Sequence, residues 1–253
     1  MARTTSYGTC ALCGYRGVKA GMSRHLKACL PKHDKAENKP AKLFHLRAEG
    51  RYEPHYWLDL EVVAEATLYD LVRFLRKVWL ECCGHLSMFK IGNTLYNVRY
   101  DEGEEFEGED ELETFLEHTF GSLSPGLREM LEVRRARMPK EGDMEVALAE
   151  VLTPGLKFAH EYDFGSTTYL KLKVVSEREG YALHEPIRLL ARNEASEFVC
   201  VKCGKPAKWI HTEERWDRED PFYCGEHKRR HKDEWAFLPV VNSPRMGVCG
   251  YTG

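Results

Sequence analysis

Two Cys-x-x-Cys pairs, one near each end of the chain, constrain this sequence more than any other feature. Cys10 and Cys13 form the first pair, and Cys200 and Cys203 form the second. Disulfide frameworks belong to secreted chains, and the N-terminus here lacks the apolar core of a signal peptide. We therefore interpret both pairs as metal ligands.

The first pair belongs to a candidate ligand set of Cys10, Cys13, His25 and Cys29, with gaps of two, eleven and three residues. Zinc prefers four tetrahedral nitrogen and sulfur ligands, and a helix would place His25 and Cys29 on one face. So short a segment cannot fold on apolar burial alone, so the metal would stabilise it. The pattern resembles a zinc finger of the CCHC ligand type. Its eleven-residue gap and its final cysteine argue against the familiar docking in the DNA major groove.

The second pair belongs to a candidate set of Cys200, Cys203, Cys224 and His227, with gaps of two, twenty and two residues. Two such pairs separated by a hairpin-sized interval are typical of a zinc ribbon. Three thiolates and one imidazole leave no open position, so we expect a structural site. His231, His211 and Cys249 stay open as alternatives to His227. The remaining cysteines, Cys82 and Cys83, end an amphipathic helix, where buried free thiols are expected.

Charge is segregated along the chain, although the formal net charge is only -3. The first 47 residues carry +8, whereas the run Asp101–Glu117 is acidic and contains no Lys or Arg. Basic surfaces bind phosphate by releasing counterions. The candidate nucleic-acid-binding residues, on or near the finger helix, are Arg16, Lys19, Arg24 and Lys27. The favoured hypothesis is a zinc-stabilised nucleic-acid-binding or regulatory protein. The alternative is a protein-interaction adaptor that uses the zinc modules and the acidic run to recruit a protein partner.

The body of the chain predicts an α+β fold, a mixed sheet with helices packed on it. Alternation at Tyr56–Val62 indicates a half-buried strand, and Thr67 is a candidate cap for a helix. We expect a zinc finger at 1–30, a linker at 31–41, the α+β domain at 42–195, and a zinc-ribbon-like segment with a tail at 196–253. Further strands are predicted at Leu43–Leu46, His85–Ile91, Leu95–Val98, Leu156–Tyr162, Tyr169–Val175 and Ile187–Ala191. Further helices are predicted at Glu111–Phe120, Leu127–Met138 and, capped by Asp143, Met144–Val151.

The segment Glu161–Thr168, which reads Glu-Tyr-Asp-Phe-Gly-Ser-Thr-Thr, resembles the Tyr-Asp-Phe-Gly signature of the plasmid open-reading-frame-3-like family. Ala66–Leu71, Trp79, His85–Phe89 and Tyr96 resemble its helix-then-strand segment, and the likeness covers about residues 42–192. Leu189–Asn193 and Pro239–Gly247 resemble a zinc-bearing branch of that family. The family's Gly-Asp-x-Trp-x-His continuation is absent here. The resemblance implies an α+β fold and an association with plasmids or mobile elements, and it brings no established activity.

An enzyme built around Asp163 and His85 is a third hypothesis, because Asp and His support metal binding and acid–base work. The structural interpretation of the same residues is a turn between two strands. Asp163 would accept hydrogen bonds from the turn amides, and Gly165 would permit the sharp bend. The sequence favours the turn. No apolar run reaches the roughly 18–20 residues needed to cross a bilayer, so we expect a cytoplasmic protein with no membrane partner.

Overall fold

A ten-stranded sheet forms the body of the protein. The computed structural model describes residues 6–98, 139–216 and 220–253. The strands are β1 (Tyr7–Cys10), β2 (Arg16–Val18), β3 (Pro40–Gly50), β4 (Trp57–Val63), β5 (Ser87–Ile91), β6 (Thr94–Asn97), β7 (Lys140–Gly142), β8 (Lys157–Tyr162), β9 (Thr168–Tyr181) and β10 (Ile187–Asn193). Their order across the sheet is β2-β1-β10-β4-β3-β9-β8-β5-β6-β7. Neighbouring strands are antiparallel, apart from the parallel pair β6 and β7.

The helices of the described residues are short. They are α1 (Lys19–Cys29), α2 (Leu68–Leu75), α3 (Leu148–Val151) and α4 (Gly225–Arg229). The predicted cap of α2 is confirmed: the Asp70 amide donates to Thr67 Oγ1 at 3.1 Å, and the Thr67 amide donates to Asp70 Oδ2 at 3.0 Å. This reciprocal pair satisfies two amides that a helix start leaves without partners. The mixed sheet with its few helices confirms the α+β fold class.

The main apolar core joins α2, and the π-helical turn Arg76–Leu80 that follows it, to the sheet. Its fully buried members include Leu46, Leu58, Leu60, Leu68, Leu71, Leu75, Trp79, Phe89 and Leu172. In β4 the core residues alternate along the strand, as a pleated strand requires. Each such side chain stabilises the fold by about 1.5–3 kcal/mol.

The opposite face of β4 corrects the prediction of a half-buried strand, because Asp59 and Glu61 are also buried. Arg47 donates to Asp59 Oδ2 at 2.7 Å, and Arg178 and Arg188 both contact the Glu61 carboxylate. Burial opposes the charge of Asp59, but His45 and Arg47 hold its pKa below the ordinary value. The side chains of β4 alternate as predicted, but ion pairs cover the charged face of the strand as well.

The candidate finger is continuous with this sheet. Strand β1 pairs with β10, with Gly8 opposite Asn193, so the hairpin β1–β2 forms one edge of the sheet. Helix α1 buries Met22 and Leu26 against Trp57, Leu190 and Ala191.

The predicted linker at 31–41 is partly structured. A 3-10 turn, Leu30–His33, follows α1, and the Arg178 guanidinium pairs with the Asp34 carboxylate at 2.7 Å. Strand β3 begins at Pro40. The division into separate domains at residues 30 and 41 stays a prediction.

The C-terminal region has its own small sheet, made of β11 (Trp209–His211), β12 (Phe222–Tyr223) and β13 (Phe237–Pro239) in the order β12-β11-β13. The chain then returns to the body. Ser243 Oγ donates to the Trp79 carbonyl at 2.7 Å, and Arg245 is completely buried. The last residues therefore form part of the body's packing.

One predicted element differs in extent. Asp143 Oδ1 does accept the Glu145 amide, but Ala147 is extended, so the third helix begins only at Leu148. The other predicted strands are present, and β9 is longer than expected. The predicted helices Glu111–Phe120 and Leu127–Met138 and the acidic run Asp101–Glu117 lie outside the described residues. Across the described ranges, no helix is both long and apolar enough to cross a membrane.

Candidate metal centres

The N-terminal ligand set comes together where β1 and β2 meet α1. The ligand atoms of Cys10, Cys13, His25 and Cys29 all lie within 4.8 Å of one another, and Cys13 Sγ is 3.3 Å from His25 Nε2. The edges of a tetrahedral zinc site are roughly 3.5–3.8 Å, from bond lengths of about 2.0–2.3 Å. The cluster therefore has the size that a metal ion needs.

A tight turn after Cys10 places the thiols of Cys10 and Cys13 on the same side of the backbone. The Gly14 amide donates to the Cys10 carbonyl at 2.9 Å, and Gly14 has a φ of +74°, which favours glycine. The Tyr15 ring stacks on the His25 imidazole at 4.2 Å and limits its rotation. Burial and the thiol of Cys13 raise the pKa of Cys29 to about 12, so this thiol loses its proton when a cation takes the proton's place.

The C-terminal set has the same donor composition. The ligand atoms of Cys200, Cys203, Cys224 and His227 lie within 4.8 Å of one another. His227 Nδ1 is 3.4 Å from both Cys200 Sγ and Cys224 Sγ, and Cys203 Sγ is 3.9 Å from Cys224 Sγ. Burial opposes ionisation of Cys200, but backbone amides around the site, including that of Cys224, lower its pKa to about 6. Ionised thiols are the form that binds metal.

The alternatives to His227 lie elsewhere. His211 and His231 form a separate group with Asp233, and Cys249 Sγ is 3.7 Å from Cys83 Sγ. All nine cysteines are free of disulfides. Two sets of three sulfur atoms and one nitrogen therefore suit a soft or borderline metal ion, without identifying which one.

The four candidate nucleic-acid-binding residues fall into two pairs. Arg16 makes a bidentate contact with the Glu194 carboxylate, and Lys19 pairs with Glu49 at 2.9 Å. Arg24 and Lys27 lie on the exposed face of α1 and make no hydrogen bond or ion pair with any residue that the structure describes. Only this second pair presents unpaired charge.

Asp163 and His85 are neighbours, with His85 Nδ1 3.7 Å from Asp163 Oδ1. The carboxylate already accepts from Ser166 Oγ and Arg245 Nη2 at 2.6 Å each, and from the Gly165 amide at 3.0 Å. Burial opposes its charge, but the Ser166 and Arg245 contacts hold the pKa of Asp163 well below its usual range. A carboxylate so fully occupied is a poor proton acceptor, and the arrangement favours the turn reading.

Sequence reasoning missed two features near this turn. Arg245 is completely buried beneath Tyr162, with its guanidinium carbon 4.7 Å from the ring centroid, and nothing local in the sequence marks an arginine for burial. The expectation for Cys82 and Cys83 was also wrong, because Cys82 is half-buried and Cys83 is exposed. Both cysteines lie at the end of the π-helical turn rather than beneath a continuing helix.

No family model matches the chain, and no curated protein matches it. Among solved structures, a protein of unknown function, MM3350 from Methanosarcina mazei Go1, is similar over 65% of this chain and 75% of its own. The two are 15% identical, with a TM-score of 0.39. A likeness this distant does not indicate a function for the chain.

Proposed function

We propose that this chain is a zinc-stabilised nucleic-acid-binding protein in which helix α1 supplies the contact surface. The observation that carries the proposal is the unpaired charge of Arg24 and Lys27 on a helix whose other face is fixed by the Cys10–Cys29 ligand set and by burial of Met22 and Leu26. Zinc is the proposed metal because three thiolates and one imidazole at tetrahedral spacing are its usual structural environment.

The exposed face of α1 has the geometry of a phosphate-binding stripe. Residues three or four apart lie on the same side of a helix, so Arg24 and Lys27 point in one direction. Exposed Lys32 and Lys35 continue the positive charge just beyond the helix. Contacts of this kind attract any nucleic acid and do not by themselves read a sequence.

Fixing α1 on the sheet keeps these charges in place. The hairpin β1–β2 is hydrogen-bonded to β10, and Trp57 Nε1 donates to Ser6 Oγ at 2.8 Å. A helix that is already fixed on the sheet loses less conformational entropy when it binds nucleic acid than a mobile helix would. Arg16 and Lys19, predicted for the same role, pair with Glu194 and Glu49, and their contact with nucleic acid stays a prediction.

A protein-interaction adaptor is the second candidate, favoured by the surface of the C-terminal region. Trp235 is 74% exposed, and Val199 is 59% exposed. Tryptophan is enriched at protein interfaces and among the residues that contribute most to binding, so Trp235 is the stronger of the two indications. The plasmid open-reading-frame-3-like resemblance also stays a proposal, supported by the buried network that the signature residues Tyr162 and Asp163 make with Arg245.

A salt titration tests the favoured function. Binding of a mixed-sequence duplex DNA and of a single-stranded RNA is measured for the full chain at several salt concentrations. Replacing Arg24 and Lys27 by alanine is expected to weaken binding to all sequences alike. Plots of the logarithm of the binding constant against the logarithm of salt concentration should also become less steep, by about 2 units of slope. Each lost phosphate contact removes nearly one unit.

The matched control replaces Lys171 and Lys173, which are exposed on β9, by alanine. This removes the same charge from another part of the surface and is expected to leave the slope unchanged. Equal slopes in the two double variants, or no binding of either nucleic acid at low salt, would exclude α1 as the contact surface.

A further inference from the structure

A third cluster of metal-ligating side chains lies outside both Cys-x-x-Cys sets. Cys82, Cys83 and His85 come from the connection between the π-helical turn and β5, and Cys249 comes from the end of the chain. Their ligand atoms all lie within 4.8 Å of one another. Cys249 Sγ is 3.4 Å from His85 Nε2 and 3.7 Å from Cys83 Sγ, close to the edges of a tetrahedral metal site.

We propose that Cys82, Cys83, His85 and Cys249 form a third metal site, for zinc or an ion of similar preference. The donor set, three sulfur atoms and one imidazole nitrogen, is the same as in the two predicted clusters. With this site, each of the nine cysteines of the sequence belongs to one of three clusters with that composition. The site joins the C-terminal segment to the body.

The surroundings of the cluster match those of metal sites. His85 points Nε2 at the thiols and has Nδ1 3.7 Å from Asp163 Oδ1, and metal-binding histidines commonly turn their second nitrogen to a carboxylate. Arg245 Nη2 lies 3.3 Å from Cys82 Sγ and 2.6 Å from Asp163 Oδ2. Its positive charge offsets the charge of three thiolates on a divalent ion.

Backbone conformation is a further feature of this part of the fold. Asp163, with a φ of +66°, and Cys249, with a φ of +52°, are the two described non-glycine residues in the left-handed region. This conformation is unfavourable for residues with a Cβ and collects at ligand-binding sites. Both such residues flank His85.

Exposure separates this site from the other two. The N-terminal and C-terminal clusters each have two buried cysteines, whereas Cys83 and Cys249 are exposed and Cys82 and His85 are half-buried. We expect a chelator to remove this ion first. The competing arrangement is a disulfide between Cys83 and Cys249, which the 3.7 Å separation of their sulfur atoms also brings within reach.

Metal stoichiometry of the full chain, purified under reducing conditions, tests the site. Elemental analysis after zinc saturation should give three ions per chain, and Cys249→Ala should give two. Cys29→Ala, the control, should also give two but should keep the ion that a chelator removes first. A Cys249→Ala content equal to that of wild type would overturn the proposal, whatever the total for wild type.

Alkylation of the wild-type protein keeps the test decisive if a variant fails to fold. In zinc-saturated protein, Cys83 and Cys249 should react with iodoacetamide at least ten times more slowly than after brief chelation, as mapped by mass spectrometry. Equal rates in the two states would contradict metal binding. A Cys83–Cys249 disulfide that persists in reductant with zinc present would contradict it too.

Asp163 acts in this site as a positioning residue for His85. Asp163→Asn should weaken binding of the third ion roughly 10- to 100-fold and leave the affinity of the other two sites unchanged. Ser166→Ala, the control, removes one hydrogen bond to Asp163 but keeps its charge beside His85. If Asp163 only supports the turn, both variants will bind the third ion as tightly as wild type.

Discussion

His160 is a fully buried imidazole on β8, and neither of its ring nitrogens has a hydrogen-bond partner among the described residues. Its ring lies 4.6 Å from that of Phe89. Burial, with a smaller contribution from the positive charge of Arg76, lowers its pKa to about 3. The folded protein therefore keeps this histidine neutral under conditions in which an unfolded chain would protonate it.

His160 should make the protein less stable in mild acid. Between about pH 6.5, the ordinary pKa of histidine, and about pH 3, the unfolded chain binds one more proton at this position. The free energy of unfolding then falls by about 1.4 kcal/mol for each unit of pH decrease. Denaturant titrations from pH 6.5 to 5.5 with zinc in excess should show His160→Leu losing stability less steeply than wild type.

His184→Gln is the control, because the His184 side chain is 98% exposed. It is expected to follow the wild-type pH dependence. If His160→Leu also follows wild type, His160 is protonated in the folded protein and the account of its burial is wrong.

Local patterns allowed some residues to be assigned from the sequence and concealed others. The Thr67 cap was predictable because both partners lie within four positions of each other. The burial of Glu61 and Arg245 was not, since their partners are 127 and 82 residues away in the chain. Charged side chains are normally exposed, and only the folded chain shows which of them are paired.

At the scale of elements, the junction between the finger hairpin and the sheet depends on a close approach at Gly8. A Cβ there would lie 2.5 Å from the Arg192 carbonyl oxygen and would also overlap the Trp57 ring. Gly8→Ala should therefore lower the free energy of unfolding by about 1–3 kcal/mol, since a packed interface must move to accept the methyl group. Denaturant titration with zinc in excess measures the change.

Gly21→Ala is the matched control within the same finger. It lies on the exposed side of α1, with the nearest atom 3.7 Å from the added Cβ. It should stabilise the protein by up to about 0.5–1 kcal/mol, because alanine favours helix more than glycine does. If Gly8→Ala is as stable as Gly21→Ala, the hairpin does not pack on the sheet as described.

Hydrophobic periodicity predicted most elements of the body, because strand alternation and helical spacing are properties of short segments. It did not predict that β1 pairs with β10, a contact between strands that are more than 170 residues apart in the chain. The third helix began later than expected because Asp143 caps a turn rather than the helix itself. Pairing between distant strands depends on the whole fold, which single segments do not encode.

At the scale of the whole molecule, short spacing made the two terminal ligand sets visible in the sequence. The third set was hidden, because Cys249 lies 164 residues from His85. Only the return of the C-terminal segment onto the body brings them together. A spacing rule finds ligands that share a turn or a helix, and it cannot find ligands that tertiary structure assembles.

We expect metal ions to hold the finger and the C-terminal sheet in shape, while the body's core is stable without them. Hydrogen exchange of the full chain, before and after zinc removal under reducing conditions, tests this most directly. The account predicts that amides of α1, β11 and β12 lose protection on zinc removal, while those of β3, β4 and β9 keep it. A protein that contains no metal, or one whose α1 and β11 amides stay equally protected after metal removal, would contradict it.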